Sequence, residues 1–544
     1  MSAAELRRDT VWWGWGRTED RPSLGDGPRA MLADRLGELE PADRARMSEV
    51  ELPEAQPVPS AVVSATGGEG AVSTSREDRI RHAAGKSYPD LVRLRRGTLV
   101  EAPDAVIAPP DASSVAAVLE ACAREHVAVV PFGGGTSVVG GVHPARREFD
   151  RLISLDLERM RRVEVDPVSM TATLGAGLRG PEAEAALAGH GVTLGHFPQS
   201  FVYATIGGFA ATRSAGQAST GYGRFDEITT ALRMQTTRGE LATLQTPHTA
   251  AGPSVRELIV GSEGTLGVIT EVSARVRPAP ASKRYEAWFA PGWEAGIEIG
   301  RRLAQEGVSP DVFRLSDRNE TEVSLELAGL QGARKNLFEG YLKLRGRGDG
   351  CMMICGWEGE REAVSRRREL SAAILRREGA VPLGRGAGDS WAEGRFEGPY
   401  LRDALMDAGV MVETLETSHT YSELGELYRG VGEALKAAMA ERGAPGLVMC
   451  HVSHIYRDGA SLYFTFLSAR NPGAEIEQWH TIKSAACSAI VDAEGTITHH
   501  HAVGRDHVPY MRAEIGELGV EALRGVKERL DPAGIMNPGK LLPA

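Results

Sequence analysis

Two stretches of the 544-residue chain concentrate groups able to do chemistry. The first is PFGGGTS, residues 131–137, where three consecutive glycines follow an apolar run. A loop without side chains lets a ligand come close to the backbone. A phosphate loop of the GxxxxGKS/T kind needs a lysine to reach the phosphates, and none follows here. A dinucleotide fingerprint needs GxGxxG opening a helix, whereas valines and a second glycine pair come next. A backbone nest is the third option: successive amides face a diphosphate while Thr136 and Ser137 add hydroxyl donors. A plain glycine-rich surface turn is the bland alternative. The second stretch is THHHAVG, residues 498–504. A lone histidine is ordinarily structural, but His499, His500 and His501 in succession are hard to explain by packing. A surface metal-binding tract is the competing reading.

These groups must be held by a large soluble scaffold. The chain is too long for one ordinary core and predicts two or three domains. Hydrophobic residues make up 42% and charged residues 25%, a globular balance. No run approaches the roughly 18 apolar residues of a membrane span. No secretory leader is evident. Five cysteines without a repeated CxxC spacing suit reduced thiols and argue against a disulfide framework or zinc finger. A net charge of -11 opposes general nucleic-acid binding. These features predict a cytoplasmic protein.

The elements alternate. DAVIAPPDASSVAAVLEACAREHVAVVPFGGG reads as strand, turn, helix, strand and glycine loop, with Val115, Val118, Leu119 and Cys122 at helical spacing and Asp111 or Ser113 as cap. SMTATLGAGLRGPEAEAALAGHG repeats strand then helix, with Pro181 in the first turn. From about residue 280 the pattern is α+β, with helices such as SRRRELSAAILRR between strands such as CMMICGW and SLYFTFL.

Three segments in order, PFGGGTS, HFPQSFVYATIGGFAATRSAG (196–216) and GSEGTLGVITE (261–271), resemble flavoproteins of the vanillyl-alcohol oxidase / p-cresol methylhydroxylase superfamily. The resemblance implies an α+β fold: a two-subdomain FAD-binding domain plus an α+β substrate (cap) domain. It implies an N-terminal helical region over 1–98 packed outside, an FAD-binding domain over 99–280, a cap over 281–500, and a segment over 501–544 returning to the flavin. FAD is then expected on Pro131, Phe132, Gly133, Gly134, Gly135, Thr136 and Ser137. Further along, Gln199, Ser200, Thr205, Gly207, Gly208, Thr212, Arg213, Ser214 and Ala215 join the expected site. Glu263, Gly264, Thr265, Leu266, Gly267, Val268 and Ile269 complete it. His143 and His196 are candidate attachment points for the flavin, and a noncovalent flavin is the favoured expectation.

Within that superfamily, D-2-hydroxyacid dehydrogenases carry a metal site with the pattern GHxGDGNxH and a downstream GEHG. Here His451 holds the first ligand position, but Tyr463 stands at the second and His500 at the glutamate. A phenol must lose a proton before it ligates a divalent ion, so no metal is expected. GASLYFTF, THHHAVG, FRLSD, YLRDALMDAGVMVETLETS and the early WWGWG resemble instead the alkyl-dihydroxyacetonephosphate synthase family. The tail GIMNPGKLLP is closer to the dehydrogenases.

The synthase resemblance implies exchange of the acyl group of acyl-dihydroxyacetone phosphate for a fatty alcohol, through a flavin N5 adduct and without net redox, in ether-lipid synthesis. The alternative is an FAD-dependent D-2-hydroxyacid dehydrogenase or another FAD-linked oxidoreductase; a non-enzymatic flavin carrier is the third reading. On the synthase reading Tyr463 is the acid/base, and a phenol needs nearby cations to act so. Arg314 is the expected helper and Arg402 the phosphate-binding fork. His499, His500 and His501 complete the polar end, and Asn537 returns to it. Strand alternation would let only His499 and His501, or His500 alone, face the substrate. The implied partners are a small phosphate-bearing lipid or ketone substrate and a second copy in a homodimer. Any membrane contact is peripheral.

Overall fold

The computed structural model describes residues 10–19, 22–68, 70–327, 340, 349–441, 443 and 445–543. Its architecture is α+β, built on three main sheets.

The first sheet has four strands, in the order Val72–Ser73, Ala105–Ile107, Arg151–Asp156, Val127–Phe132. The last three are parallel, so a helix must cross between them. That helix is Ala112–Arg124, capped where Asp111 accepts the Ser114 N–H, with Val115, Val118, Leu119 and Cys122 fully buried. Strand Val127–Phe132 runs straight into the glycine loop, and burial on both faces explains its unbroken apolar sequence. A second, antiparallel sheet of five strands includes Thr171–Gly175 and Val268–Arg275. It is covered by the helices Gly180–Ala188 and Ile206–Ala211 and forms its own core.

The third sheet has seven strands, in the order Val381–Gly384, Ser282–Ala290, Cys351–Gly359, Val312–Ser316, Gly446–Ile455, Gly459–Ala469, Val410–Thr420. All its pairings are antiparallel. One face packs into the largest core with the helices Trp293–Gln305, Arg361–Arg377, Leu424–Glu441 and Glu475–Asp492. Strict alternation sorts the strand Gly459–Ala469: Leu462, Phe464 and Phe466 are core residues, while Tyr463, Thr465 and Leu467 line a cavity on the opposite face.

One expectation about the chain ends is corrected. The N-terminal region does not simply pack outside. Val72–Ser73 is a strand of the first sheet, and helix Asp26–Leu36 buries Leu32 and Leu36 in the core of the seven-stranded sheet. Trp15, Leu24, Pro28, Met31 and Leu32 line the cavity itself. The apolar face of the strands Gly446–Ile455 and Gly459–Ala469 would otherwise face water, which is the physical reason the helix is drawn in. At the other end, helix Met511–Leu530 is followed by a tail whose Met536 bridges in parallel to Val129, the Asn537 N–H donating to the Val129 carbonyl at 2.8 Å.

Candidate active site

A continuous cavity of about 540 Å³ runs from the glycine loop to the seven-stranded sheet. At one end it is lined by Pro131, Phe132, Gly133, Gly134, Gly135, Thr136, Ser137, Gln199, Ser200, Thr205, Gly207 and Gly208, together with Thr212, Ser214, Ala215, Glu263, Gly264, Gly267 and Ile269. The loop is pressed against the neighbouring segment: a Cβ on Gly134 would lie 2.1 Å from the Tyr203 carbonyl oxygen. Gly135 has φ +65, which only glycine adopts readily. Among the described residues, the amides of Gly134 to Val138 donate to no protein acceptor. Unsatisfied amides on a concave loop fit an anionic diphosphate, so these residues fit FAD.

Four of the expected cofactor residues lie elsewhere. Arg213, at φ 49, pairs with Asp226 and Glu257. Leu266 and Val268 are buried in the two flanking cores, and the Thr265 hydroxyl donates to the Ser262 carbonyl. None of the four lines the cavity. Helical-turn and strand geometry sends alternate side chains inward, which a continuous motif conceals. His143 is paired with Glu101 at 2.8 Å, and His196 packs between Phe209 and Phe225; neither reaches the cavity.

The GSEG turn is tied to the histidine segment. Glu263, in the left-handed region at φ 52, accepts the N–H groups of Val503 at 2.8 Å and Gly504 at 2.7 Å. Burial pushes its carboxyl up to about 7, against the pull of those two amides. Asn537 does not reach the reaction end. It is 2% exposed, and its side-chain amide donates to the carbonyls of Gly141 and Glu263, stapling the tail to both flavin turns. Its side-chain NH2 is consumed by backbone and its Oδ1 is buried without a partner among the described residues, and Asn537 is not among the residues that line the cavity.

The other end is built on the inner face of the seven-stranded sheet. Val412 and Thr414, Met449, His451 and Ser453, and Tyr463, Thr465 and Leu467 all line the cavity at alternate positions. A bulge between Val452 and His454 breaks that alternation, so His454 also faces inward. Tyr463 lies opposite His451 on one side and Glu416 on the other. Its ring stacks on His451 with centroids 4.8 Å apart. Burial pushes the phenol up to about 12; a hydrogen bond with Thr414 and the charge of Arg402 work in the opposite direction.

The expected helper is therefore corrected. Arg314 lines the cavity, but it donates to Glu320 at 2.7 Å and to His451 Nε2 at 3.1 Å. Burial raises the Glu320 carboxyl, yet Arg314 and His451 outweigh this and hold it at about 2. Arg314 is thus held by Glu320 and His451, and the cation whose charge favours the ionised Tyr463 phenol is Arg402, itself paired with Glu413. Arg402 is 8% exposed and donates to the Lys86 carbonyl at 3.0 Å and to Glu413 at 3.4 Å. Its Nε is buried without a partner among the described residues.

The three histidines occupy a bend, not a strand, so the expected alternation does not apply. All three backbone N–H groups donate to the single buried carboxylate of Glu416. His500 and His501 line the cavity, whereas His499 turns back to Arg224 and Tyr456. Burial drives the imidazoles of His499 and His501 well below their ordinary range and His500 to about 3, so all are neutral near pH 7. Ring nitrogens of His454, His499 and His500 lie within 4.8 Å of one another, a grouping of metal-ligand type. The Arg224 guanidinium, 3.1 Å from His499 Nε2, opposes a divalent cation there, and His454 Nε2 is already 2.9 Å from the Gly216 carbonyl.

Several residues escaped the sequence reading. Lys86 links both ends: its N–H donates to the Ser137 carbonyl at 2.6 Å while its own carbonyl receives Arg402. Burial lowers its amine to about 8. Glu416, Glu320, Arg224 and Lys86 carry no local pattern that could have revealed them. The apolar wall was also hidden: Leu24, Met31, Leu32, Val323, Leu401, Leu405, Leu447 and Leu467 come from widely separated segments.

Comparison with known proteins agrees with this geometry. Residues 103–245 match the family model described as FAD binding domain, and residues 279–541 match FAD linked oxidases, C-terminal domain. The chain is 34% identical over 477 residues to the alkyldihydroxyacetonephosphate synthase of Trypanosoma brucei brucei, covering 86% of this chain and 77% of that protein. A solved alkyldihydroxyacetonephosphate synthase superposes with a TM-score of 0.85 at 28% identity, covering 98% of this chain and 99% of the other. A p-cresol methylhydroxylase structure shares the fold, with a TM-score of 0.64 at 14% identity over 88% of this chain and 96% of that one. The chain is an FAD-binding protein and belongs to the alkyldihydroxyacetonephosphate synthase family.

Proposed function

We propose that this protein is an FAD-dependent alkyldihydroxyacetonephosphate synthase, exchanging the acyl group of acyl-dihydroxyacetone phosphate for a fatty alcohol. The carrying observation is one cavity that joins a diphosphate-type loop, an apolar wall and a polar end containing Tyr463, Arg402, His500 and His501. When bound, FAD supplies the reactive ring against which the substrate carbon exchanges one oxygen substituent for another without net oxidation. Arg402 receives the phosphate: its buried, unpartnered Nε is a donor with a desolvation cost that an anion would relieve. Tyr463 takes and returns the proton beside the ketone. Its phenol is protonated in the free protein, so it must first release its own proton to solvent before it can take the one beside the ketone, with Arg402 favouring the charged form. His500 and His501, neutral through burial, hydrogen-bond substrate oxygens without adding charge. The apolar wall, including Leu24 and Leu32 from the N-terminal region, accepts the hydrocarbon chains.

The setting we propose is cytoplasmic, with peripheral membrane contact at most and a homodimeric assembly. All five cysteines are buried and free, and no described helix is long and apolar enough to cross a membrane.

Incubating the FAD-loaded protein with acyl-dihydroxyacetone phosphate and hexadecanol tests the reading. Ether product and released fatty acid in equal amounts, without an electron acceptor, are expected. Failure to form ether while a hydroxyacid reduces the flavin would overturn it.

A further inference from the structure

Behind the cavity, Arg224, Tyr456, His499 and His500 form a line of hydrogen bonds. Arg224 Nη1 lies 3.1 Å from His499 Nε2, and the same nitrogen donates to the His499 carbonyl at 2.8 Å. The Tyr456 hydroxyl is 2.7 Å from that Nε2. His499 Nδ1 is 2.9 Å from His500 Nδ1. No described residue is a hydrogen-bond partner of His500 Nε2, and His500 lines the cavity.

A guanidinium has five donors and no acceptor, and it stays charged in proteins. The His499 Nε2 facing it must therefore offer its lone pair. A neutral imidazole has one N–H, so that hydrogen belongs on His499 Nδ1. His499 Nδ1–H then points at His500 Nδ1, which must in turn accept. The His500 hydrogen is left on Nε2. Tyr456 agrees with this order: its oxygen hydrogen-bonds Arg224, which leaves its O–H to donate to His499 Nε2. Both rings are held neutral by burial, so neither escapes the rule by taking a second proton.

We propose that Arg224 is a positioning residue that sets the tautomers of His499 and His500, so that His500 presents an N–H donor, not a base, to the cavity. Resting on the synthase reading, that donor serves a substrate oxygen on which negative charge grows, such as the ketone beside the carbon that loses its proton. It assigns different duties to two adjacent polar groups: His500 donates to oxygen, while Tyr463 handles the proton. The reverse arrangement, with His499 Nε2–H donating to Tyr456 and a bare His500 Nε2 facing substrate, would make His500 the base. The cation of Arg224, in direct hydrogen-bond contact with His499, selects the first arrangement over the pull of the Glu416 carboxylate, which lies 3.9 Å from His500 Nδ1.

Neutron diffraction from deuterium-exchanged crystals of the FAD-loaded protein reads the proton positions directly. Deuterium on His499 Nδ1 and His500 Nε2 is expected; deuterium on His499 Nε2 or His500 Nδ1 would overturn the proposal, whatever reaction the protein performs. In turnover, Arg224→Met should lower kcat about 10²-fold, the usual effect of losing one preorganised donor. Arg224→Lys should recover at least about tenfold of that loss, because an ammonium also only donates. Tyr456→Phe should leave both deuterium positions unchanged. An Arg224→Lys variant that folds and binds FAD yet recovers nothing, or a shifted deuterium in Tyr456→Phe, would equally count against it. A protein with the expected deuterium pattern that makes no ether would sink the synthase reading alone.

Discussion

Glu416 and Tyr463 stand directly opposite each other on adjacent antiparallel strands, yet the Glu416 carboxylate serves the histidine bend rather than the phenol. Three consecutive amides converge on it, and two more from the same segment converge on Glu263. The bend carrying the histidines is thus hung between two buried carboxylates more than 150 positions apart in the chain.

Glu416→Ala should leave three buried amides without an acceptor. Each unsatisfied buried group costs about 1–3 kcal/mol, partly recovered by relaxation or water. A fall in thermal stability of several degrees is expected in calorimetry, with ether formation reduced more than tenfold while FAD still binds. A variant with wild-type melting and wild-type rate would show that the carboxylate does not order the bend.

The histidines predict an acid-side loss of stability. His500 has an ordinary value of 6.5 and a folded value of about 3. Between those limits the unfolded chain binds a proton that the folded chain refuses, so stability is present above about pH 6.5 and falls as pH drops towards 3. His500→Gln removes one such site. Its stability relative to the wild type should improve by about 2 kcal/mol on going from pH 6.5 to pH 5. Comparing the two proteins cancels the opposing contribution of Glu263, whose raised carboxyl acts in the other direction. Parallel pH profiles in denaturant titrations would contradict the assignment.

Arg402→Ala should raise KM for acyl-dihydroxyacetone phosphate by one to two orders of magnitude, since charge-assisted bonds to phosphate are worth about 1.5–3 kcal/mol. KM for the alcohol should change little. Arg402→Lys should recover only part of the loss, because a point charge cannot reproduce the fork. Equal losses for both substrates would show a general disturbance of the Glu413 pair rather than a phosphate contact.

Tyr463→Phe should retain fold and FAD and lose about 10²–10⁴-fold in rate, the range of a general acid–base group. The free phenol is raised to about 12, so the wild-type kcat/KM should climb between pH 7 and 9 while the variant stays flat. An unchanged rate in the variant would reduce Tyr463 to a packed aromatic.

Activity should survive a chelator, and D-lactate, glycolate or 2-hydroxyglutarate should leave the flavin spectrum oxidised. On the resemblance to the hydroxyacid dehydrogenases Tyr463 would stand at a histidine ligand and His500 at a glutamate, and Arg224 adds positive charge beside His499. Loss of ether formation on chelation, restored by a divalent ion, would revive the metal reading.

By itself the sequence determined whatever is specified by local backbone demands. The glycine loop could be read because close approach and positive φ need glycine within a few residues, as at Gly135. Helix Ala112–Arg124 was legible from its period and its Asp111 cap, whereas Tyr463 stood out only through the family resemblance of GASLYFTF. Tertiary structure decided what depends on residues distant in the chain. The bend at His499–His501 is shaped by a carboxylate more than 80 positions away, so strand alternation misjudged which rings face inward. Arg314 and Arg402 are chemically alike in sequence; only the fold shows the first held by Glu320 and His451 and the second by Glu413 and the Lys86 carbonyl. Val268 and Leu266 share a motif with cavity residues, yet packing in the flanking cores turned them away. The apolar wall emerged last, because helix Asp26–Leu36 and the strands it covers are brought together by burial of nonpolar surface, a force with no local signature.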